Sequence, residues 1–505
     1  MTLAQAVRPA FPHSNRARGA WAMAGVPLLL WVISLAMHLP LMGDWTYEVD
    51  DQFYALVGAR LTRGATLYID IWDRKGPALY YTFALLAAIW PTSVVAYQVA
   101  AATCAALTAW LITRICIALN CRKGALFAGL SYLVLLYQFG GANAQTEVFF
   151  APLLSFCAWC VVSRLDRIAA GHIDGRICLG FGAAGLALAF KQSAVFEGVG
   201  FGAACVIAST VGGTGWKKTA RNAGLLMLCG AVPMLVVVVR YWWAGQFDAL
   251  LHALVTSNVQ RHYMGTGEWL GRIPLILMEL SMPTGFAFLG WLVMRREGNR
   301  AGVFVILGWL GAAIVPILAY PNIFNYYLLT LLAPLCILGG GLYGRRPLGL
   351  FALAGLALSI LPFSNALDWA ERERSRHASA ELVEYVRQNL GAGELFVAGQ
   401  ISYLYVLMDR APPTAWPFSA HLFDATEDGA TGTEQVAEVR RILTGRPSVV
   451  VRQMPIEGSP PNMRAVGLVD EYVRHCARSR QFTLFNQFGP HKHVVYSGCG
   501  VDSVS

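Results

Sequence analysis

The chain has 505 residues, 56% of them hydrophobic and 14% charged, with a mean hydropathy of +0.49. Soluble domains carry about 25% charged residues, so this composition excludes an ordinary soluble enzyme and describes an integral membrane protein. The net charge of +9 would suit nucleic acid, but Lys and Arg sit in small groups between apolar segments. That spacing reads as membrane topology, and no nucleic-acid partner is expected.

In chain order, the basic segment "MTLAQAVRPAFPHSNRARGA" precedes an apolar run from Trp21 to Met42. The run is longer than a signal-peptide core and has no small-residue cleavage site, so it is expected to be a first membrane anchor. Further candidate spans are Val94 to Thr113, Ala125 to Phe139, Val148 to Ser163, Ile177 to Phe190, Ala194 to Val211, Ala223 to Trp243, Ile273 to Met294, Val303 to Ala319, Tyr326 to Tyr343 and Leu348 to Phe363. With the anchor this gives about 11 transmembrane helices.

The segment "PALYYTFALLAAIW", Pro77 to Trp90, is short for a span and is read as an interfacial or re-entrant helix. If it does not cross, the clusters Arg8/Arg16/Arg18, Arg114/Arg122/Lys123, Arg164/Arg167/Arg176, Lys217/Lys218/Arg221, Arg295/Arg296/Arg300 and Arg345/Arg346 all fall on one side. That side is the cytoplasm, which holds the N-terminus. The opposite face then receives the loop from Gly43 to Gly76, "GGANAQTE", Lys191 and Gln192, the stretch from Gly245 to Arg272, and "YPNIFNYY".

From Ser364 the composition turns polar. "ERERSRHASAELVEYVRQNLGAG" reads as an amphipathic helix closed by Gly, and β-like runs follow in "ELFVAG", "YLYVLM", "PSVVVRQ", "FTLFNQF" and "HVVYSG", with a helix around Glu434 to Leu443. The expected fold is an α-helical multi-pass membrane protein over residues 1–363, with interfacial helices in its first outer loop, followed by a small α/β soluble domain over 364–505. An odd number of spans places that domain outside, in an oxidising compartment. Nine of eleven cysteines lie in or beside apolar segments and read as buried hydrophobes. Cys476 and Cys499 lie in the tail, as a disulfide or as two free thiols. The two histidines of "GPHKHVVY", His491 and His493, have no third ligand in sight, so no metal site is assigned there.

The chemistry gathers in the first outer loop. Asp50 and Asp51 open a stretch with Phe53, Leu56, Val57 and Leu61 at helical spacing, ended by Gly64. Asp50 is either a helix N-cap or a functional carboxylate. The loop continues through "YIDIWDRKGPALYY", which adds Asp70, Asp73, Arg74 and Lys75. A carboxylate can take the proton of a hydroxyl nucleophile, and a nearby cation can neutralise a phosphate leaving group. Glu147, at the head of a span, is a candidate site residue or a favourable charge at a helix N-terminus. Lys191, at the outer boundary, either binds phosphate or snorkels. "NVQRHYMGTGEW", with Arg261 and His262, would contact a sugar or headgroup, or simply be a flexible loop. Asn322, Asn325, Tyr326 and Tyr327 either line a cavity or form part of an aromatic belt.

The stretch "DDQFYALVGARLTRGATLYIDIWDRKGPALYY" resembles the first outer loop of GT-C fold polyprenyl-phosphate-sugar glycosyltransferases, the group of bacterial protein O-mannosyltransferase relatives and of lipid A aminoarabinose and galacturonosyl transferases. Asp50, Tyr54, Gly58, Leu61, Gly64, Tyr68, Asp70, Lys75, Gly76 and Pro77 fall in register with the pattern of that group, and Asp51 stands where Glu is usual. "AQTEVFF", "GLALAFKQSAVF" and "YYLLTLLAP" are similar to later segments. The resemblance implies a bacterial inner-membrane enzyme taking a sugar from a polyprenyl-phosphate donor to a lipid, glycan or protein acceptor, with inversion. It implies Asp50 as base with Asp51 in support, Lys75 with Lys191 or Arg60 at the donor phosphate, and Tyr54, Asp70, Glu147 and Tyr327 at substrate, to which the polar loop above adds Arg261 and His262. No nucleotide site is required, and a divalent metal beside Asp51 is left open. Rival readings are a transporter or flippase of lipid-linked sugars and a lipid-linked glycan polymerase or ligase.

Overall fold

The computed structural model describes residues 16–263, 265–320, 324–454 and 460–500. Arg8 and Asn322 of the groups above lie outside the described residues. Two compact units divide the chain, one drawn from Met1–His38, Ala100–Val237 and Met264–Ser364, the other from Leu39–Val99, Val238–Tyr263 and Asn365–Ser505.

The first unit is helical. Among the described residues of the chain, six helices are long and apolar enough to cross a membrane: Val94–Ala118, Thr146–Ser163, Ala194–Val211, Trp216–Trp243, Arg300–Ala319 and Asn325–Tyr343. Four other expected spans fall on the shorter apolar helices Gly25–Leu41, Ala125–Leu136, Gly175–Phe190 and Leu348–Phe363. The segment Ile273 to Met294, expected as one straight span, is instead a pair of helices, Gly267–Glu279 and Ser281–Glu297, bent by 57°. Pro283 explains the break. Its ring nitrogen has no proton for the carbonyl of Glu279, four residues back, and its ring crowds that carbonyl. The freed Glu279 oxygen accepts instead from Gln138 Nε2 at 3.0 Å.

Burial sorts the helices of this unit. Asn325–Tyr343 is 83% buried over its most apolar window, and Trp216–Trp243 only 11%. The first is therefore packed on all sides by protein, while the second shows Met227, Leu228 and Val236 to its surroundings, as a lipid-facing helix does. Since lipid is as apolar as Leu, helix contacts here depend on close backbone approach. A Cβ on Gly290 would meet the Leu338 carbonyl oxygen at 2.1 Å, and one on Gly341 would meet the Gly290 oxygen at 2.2 Å.

The second unit holds a four-stranded sheet of β1 (Leu395–Ala398), β2 (Val449–Met454), β3 (Arg478–Asn486) and β4 (Gly489–Ser497) in the order β1-β2-β4-β3. β1 and β2 are parallel, and the other pairs antiparallel. The crossover from β1 to β2 carries the helix Gln435–Thr444, capped by Glu434. Its Val436, Val439 and Ile442 pack with Phe396, Val450, Val466 and Val469 into one apolar core. Helix Trp369–Leu390 buries Leu382, Val386 and Leu390, with Tyr385 against Phe482 of β3. Gly391 follows it with φ of 54°. "YLYVLM", expected as a strand, is the helix Tyr403–Leu407. A short, wholly apolar run has no period to read, and Tyr403 to Val406 are all buried, as they would be in either form. Cys476 and Cys499 are joined in a disulfide.

The first loop contributes helices Val49–Thr62 and Pro77–Ile89 to this unit. The second has 13 residues, about 20 Å of helix against a hydrocarbon core of about 30 Å. The two helices touch at Gly58, where a Cβ would lie 2.6 Å from the Phe83 carbonyl carbon. Gly58→Ala is therefore expected to destabilise the protein by about 1–3 kcal/mol through overpacking, read as a lower melting midpoint in detergent. An unchanged midpoint would show that this crossing has slack.

Candidate active site

Helix Val49–Thr62 begins with three carboxylates. Glu48 is its N-cap, accepting from Val49 N at 3.2 Å. The capping job offered to Asp50 by the sequence thus belongs to Glu48. Asp50 lies in the first turn, where the exposed N–H dipoles favour an anion. It accepts from Lys75 Nζ at 3.0 Å and from the Tyr54 hydroxyl at 3.1 Å, one helical turn on. Lys75 Nζ also lies 4.4 Å from the centre of the Tyr54 ring, within reach of its negative face. The side chains of Asp50 and Lys75 are 15% and 16% exposed, so a ligand can reach the pair. Asp51 is fully buried.

The loop between the two helices is folded so that Lys75 meets Asp50. Tyr68 adopts a positive φ of 71°, its N donates to the Ile71 oxygen at 2.8 Å, and its hydroxyl donates to the Lys75 oxygen at 2.7 Å. Asp70, expected at substrate, is exposed and accepts from Thr66 N at 2.7 Å, closing the turn. Arg60 lies in the last turn of its helix, about 15 Å along the axis from Asp50, and is half-buried.

Just before Lys75 the loop is held by other residues of the same unit. Asp73 is buried, accepts from the Tyr80 hydroxyl, and has His421 Nε2 at 3.5 Å. Burial pushes the Asp73 carboxyl up, but the hydrogen bond and charge of His421, with help from Tyr80, outweigh it and hold the group below its ordinary range. Arg74 donates through both terminal nitrogens to the carboxylate of Glu427, one bond at 2.6 Å, and Arg261 Nε lies 2.9 Å from the same carboxylate. Burial opposes ionisation of Glu427, yet Arg74 first and Arg261 second bring it down to about 2. His262 contributes its backbone N–H to the Thr426 oxygen at 3.1 Å, with its ring exposed.

In the first unit, three other expected residues meet. Lys191 forms an ion pair with the buried Glu147 at the head of helix Thr146–Ser163, and its Nζ lies 4.2 Å from the Tyr327 ring centre and 5.4 Å from that of Tyr326. The combination of Lys, carboxylate and Tyr face is the same as that of Lys75, Asp50 and Tyr54.

Sequence reading missed Glu427 and His421. Each lies in a stretch without motif, more than 340 positions from its partner in the first loop, and only a three-dimensional contact reveals it. Glu48 was visible as an acidic neighbour but outside the matched pattern. Among the described residues no group of three or more His, Cys, Asp or Glu is placed to hold a metal ion.

No protein-family model matches the sequence, and no curated protein matches it. Among solved structures it is similar to ArnT from Cupriavidus metallidurans bound to undecaprenyl phosphate, at 13% identity over 96% of this chain and 99% of that one, with a TM-score of 0.62. It is also similar to the apo state of ArnT, at 13% identity over 95% and 98% of the two chains and a TM-score of 0.59. At such identity the likeness shows the fold, the GT-C fold that the first-loop pattern leads one to expect.

Glu48 gives a pH-dependent test of this geometry. It accepts from Gln487 Nε2 at 2.9 Å, and burial, followed by repulsion from Asp50, pushes its carboxyl up to about 8. The folded protein therefore holds a proton that the unfolded chain releases near its ordinary value of 4.5. That stabilising proton is fully effective below 4.5 and is lost as pH rises through about 8. Glu48→Gln, which mimics the protonated form, should gain stability relative to wild type as pH is raised from 5 to 9, read from melting midpoints. A constant difference across that range would show that Glu48 is ionised throughout.

Proposed function

We propose that this protein is an inverting glycosyltransferase that moves a sugar from a polyprenyl-phosphate donor to a lipid, glycan or protein acceptor at the outer face of a bacterial inner membrane, with its N-terminus in the cytoplasm and the C-terminal domain outside. The observation that carries the reading is the Asp50–Lys75 pair, 3.0 Å apart and partly accessible, in a chain with the GT-C fold. A proton acceptor and a cation for a departing phosphate are adjacent, and both are held in place before substrate arrives. The undecaprenyl phosphate bound by ArnT is a ligand of the proposed class.

In this reading Lys75 turns from Asp50 to the donor phosphodiester, whose single negative charge grows as the bond to the anomeric carbon breaks and a phosphomonoester departs, so the lysine is held most strongly by the leaving group. Asp50, released from its counter-ion, takes the proton of the acceptor hydroxyl. The acceptor oxygen forms a bond to the anomeric carbon as the bond from that carbon to the phosphate oxygen breaks, and the polyprenyl phosphate leaves as an anion stabilised by Lys75. Attack from the face opposite the leaving group inverts the anomeric centre. Tyr54 orients Asp50 and offers Lys75 an aromatic face in either state. Asp51 supports the helix start beneath Asp50. Arg74 and Arg261 share one carboxylate, so the group keeps a net positive charge beside Lys75, which favours an anionic donor. Lys191 with Glu147 and Tyr327 is a second place in the chain with the chemistry for a phosphate, and the resemblance gives it that role. Asp70 and Arg60 draw less support, the first being engaged in a turn and the second lying far along its helix.

The test is transfer from a polyprenyl-phosphate-linked sugar by purified protein, with products identified by mass spectrometry. Asp50→Asn and Lys75→Ala, each with a wild-type melting midpoint, should lose about 100-fold or more of the rate, the usual share of a positioned proton acceptor or charge partner. Undiminished transfer by both variants would overturn these roles. A deletion strain whose lipid and glycan profile lacks one sugar would name donor and acceptor.

A further inference from the structure

A second polar cluster in the first unit plays no part in this chemistry. Helices Val94–Ala118, Thr146–Ser163 and Gly175–Phe190 bring together Trp110 and Arg114 from the first, Trp159 from the second and Arg176 from the third. The first two helices end here and the third begins here, so the cluster marks one edge of the apolar layer. Both guanidinium groups lie against the same indole, with the central carbon of Arg176 3.7 Å and that of Arg114 5.2 Å from the ring centre of Trp159, and Arg114 also 5.8 Å from that of Trp110.

Arg176 has a side-chain hydrogen bond with the Cys160 thiol, but among the described residues no carboxylate neutralises the two guanidinium groups. Asp174 is already engaged by Arg167 at 2.8 Å and Arg164 at 3.5 Å, and it accepts from Ile177 N at 3.1 Å. Among the described residues neither Arg114 nor Arg176 has a carboxylate partner. Arg114 Nε and Arg176 Nη2 are shielded from solvent and have no acceptor. A buried guanidinium N–H without an acceptor is costly, and two like charges on one ring repel each other. Both costs vanish if an anion with several oxygens sits on the pair. Basic pockets between membrane helices at headgroup level suit anionic lipid headgroups, and the tryptophans are the residues that favour that level. A soluble anion would satisfy the guanidinium groups alone, whereas a lipid also covers the apolar helix sides below them.

We infer that Arg114 and Arg176, stacked on Trp159, form a binding site for the phosphodiester headgroup of an anionic membrane lipid. The phosphate oxygens accept from the orphaned guanidinium N–H groups, and the acyl chains lie along the apolar helix sides beneath.

The test is native mass spectrometry of the full-length protein in detergent, titrated with phosphatidylglycerol or phosphatidylcholine. Wild type should bind the anionic lipid about tenfold or more tightly, and the Arg114→Gln/Arg176→Gln double variant should lose that preference. Arg345→Gln, which alters a basic residue paired with Glu297 elsewhere, should keep it. Absence of any preference in wild type overturns the site without recourse to variants. So does a preference that survives in the double variant or is equally lost in Arg345→Gln, which would make it a matter of bulk charge. Inorganic phosphate, added in parallel to a melting assay, should raise the midpoint less than phosphatidylglycerol. An equal rise would mean a soluble-anion site and overturn the lipid assignment.

Discussion

Arg372 and Asp44 form an ion pair, 3.0 Å apart, from which water is wholly excluded. Burial of two charges is tolerable only when their remaining hydrogen-bonding capacity is met. Here Ser375 and Thr46 donate to Asp44, and Arg372 also reaches the Phe485 oxygen and Glu371, with its Nε left without an acceptor. Removing either partner would leave a naked charge in an apolar interior, at about 3–5 kcal/mol. The pair ties the start of the first loop to helix Trp369–Leu390, and Arg372 also reaches β3 at Phe485. The helix that bears Asp50 begins five residues after Asp44, so that docking fixes where it starts.

The same rule then runs along the loop. Glu48 is met by Gln487, Asp73 by His421 and Tyr80, and Arg74 by Glu427. Each of these partners except Tyr80 comes from the C-terminal third of the chain, so that part of the second unit serves as the loop's counter-charge. Asp50 and Lys75 pair with each other from within the loop, and both keep some access to solvent.

Much of this was legible in the sequence where a local pattern carries it. The apolar lengths indicated the long membrane helices, the spacing of Phe53, Leu56 and Val57 indicated the helix behind Asp50, and Gly58 in the loop pattern has its physical cause in the Phe83 backbone. The bend before Pro283 was hidden because an apolar run looks the same straight or kinked. The strand expected at "YLYVLM" failed because burial on all sides removes the alternation that tells strand from helix. Glu427, His421 and Arg372 could not be found, since a polar residue in a polar tail does not reveal which distant side chain it meets.

The arrangement of a lysine held by a carboxylate and laid on a tyrosine face occurs twice, as Lys75, Asp50 and Tyr54 and as Lys191, Glu147 and Tyr327. A lysine at a membrane boundary must either reach water or carry a counter-charge. A permanent structural partner would bury both groups and fix them, as Arg372 and Asp44 do. In these two cases the lysine keeps 16% of its side-chain surface exposed, and its second contact is an aromatic face, which attracts the cation without consuming its hydrogen-bond donors. Such a lysine can exchange a carboxylate for a phosphate without being left unsatisfied.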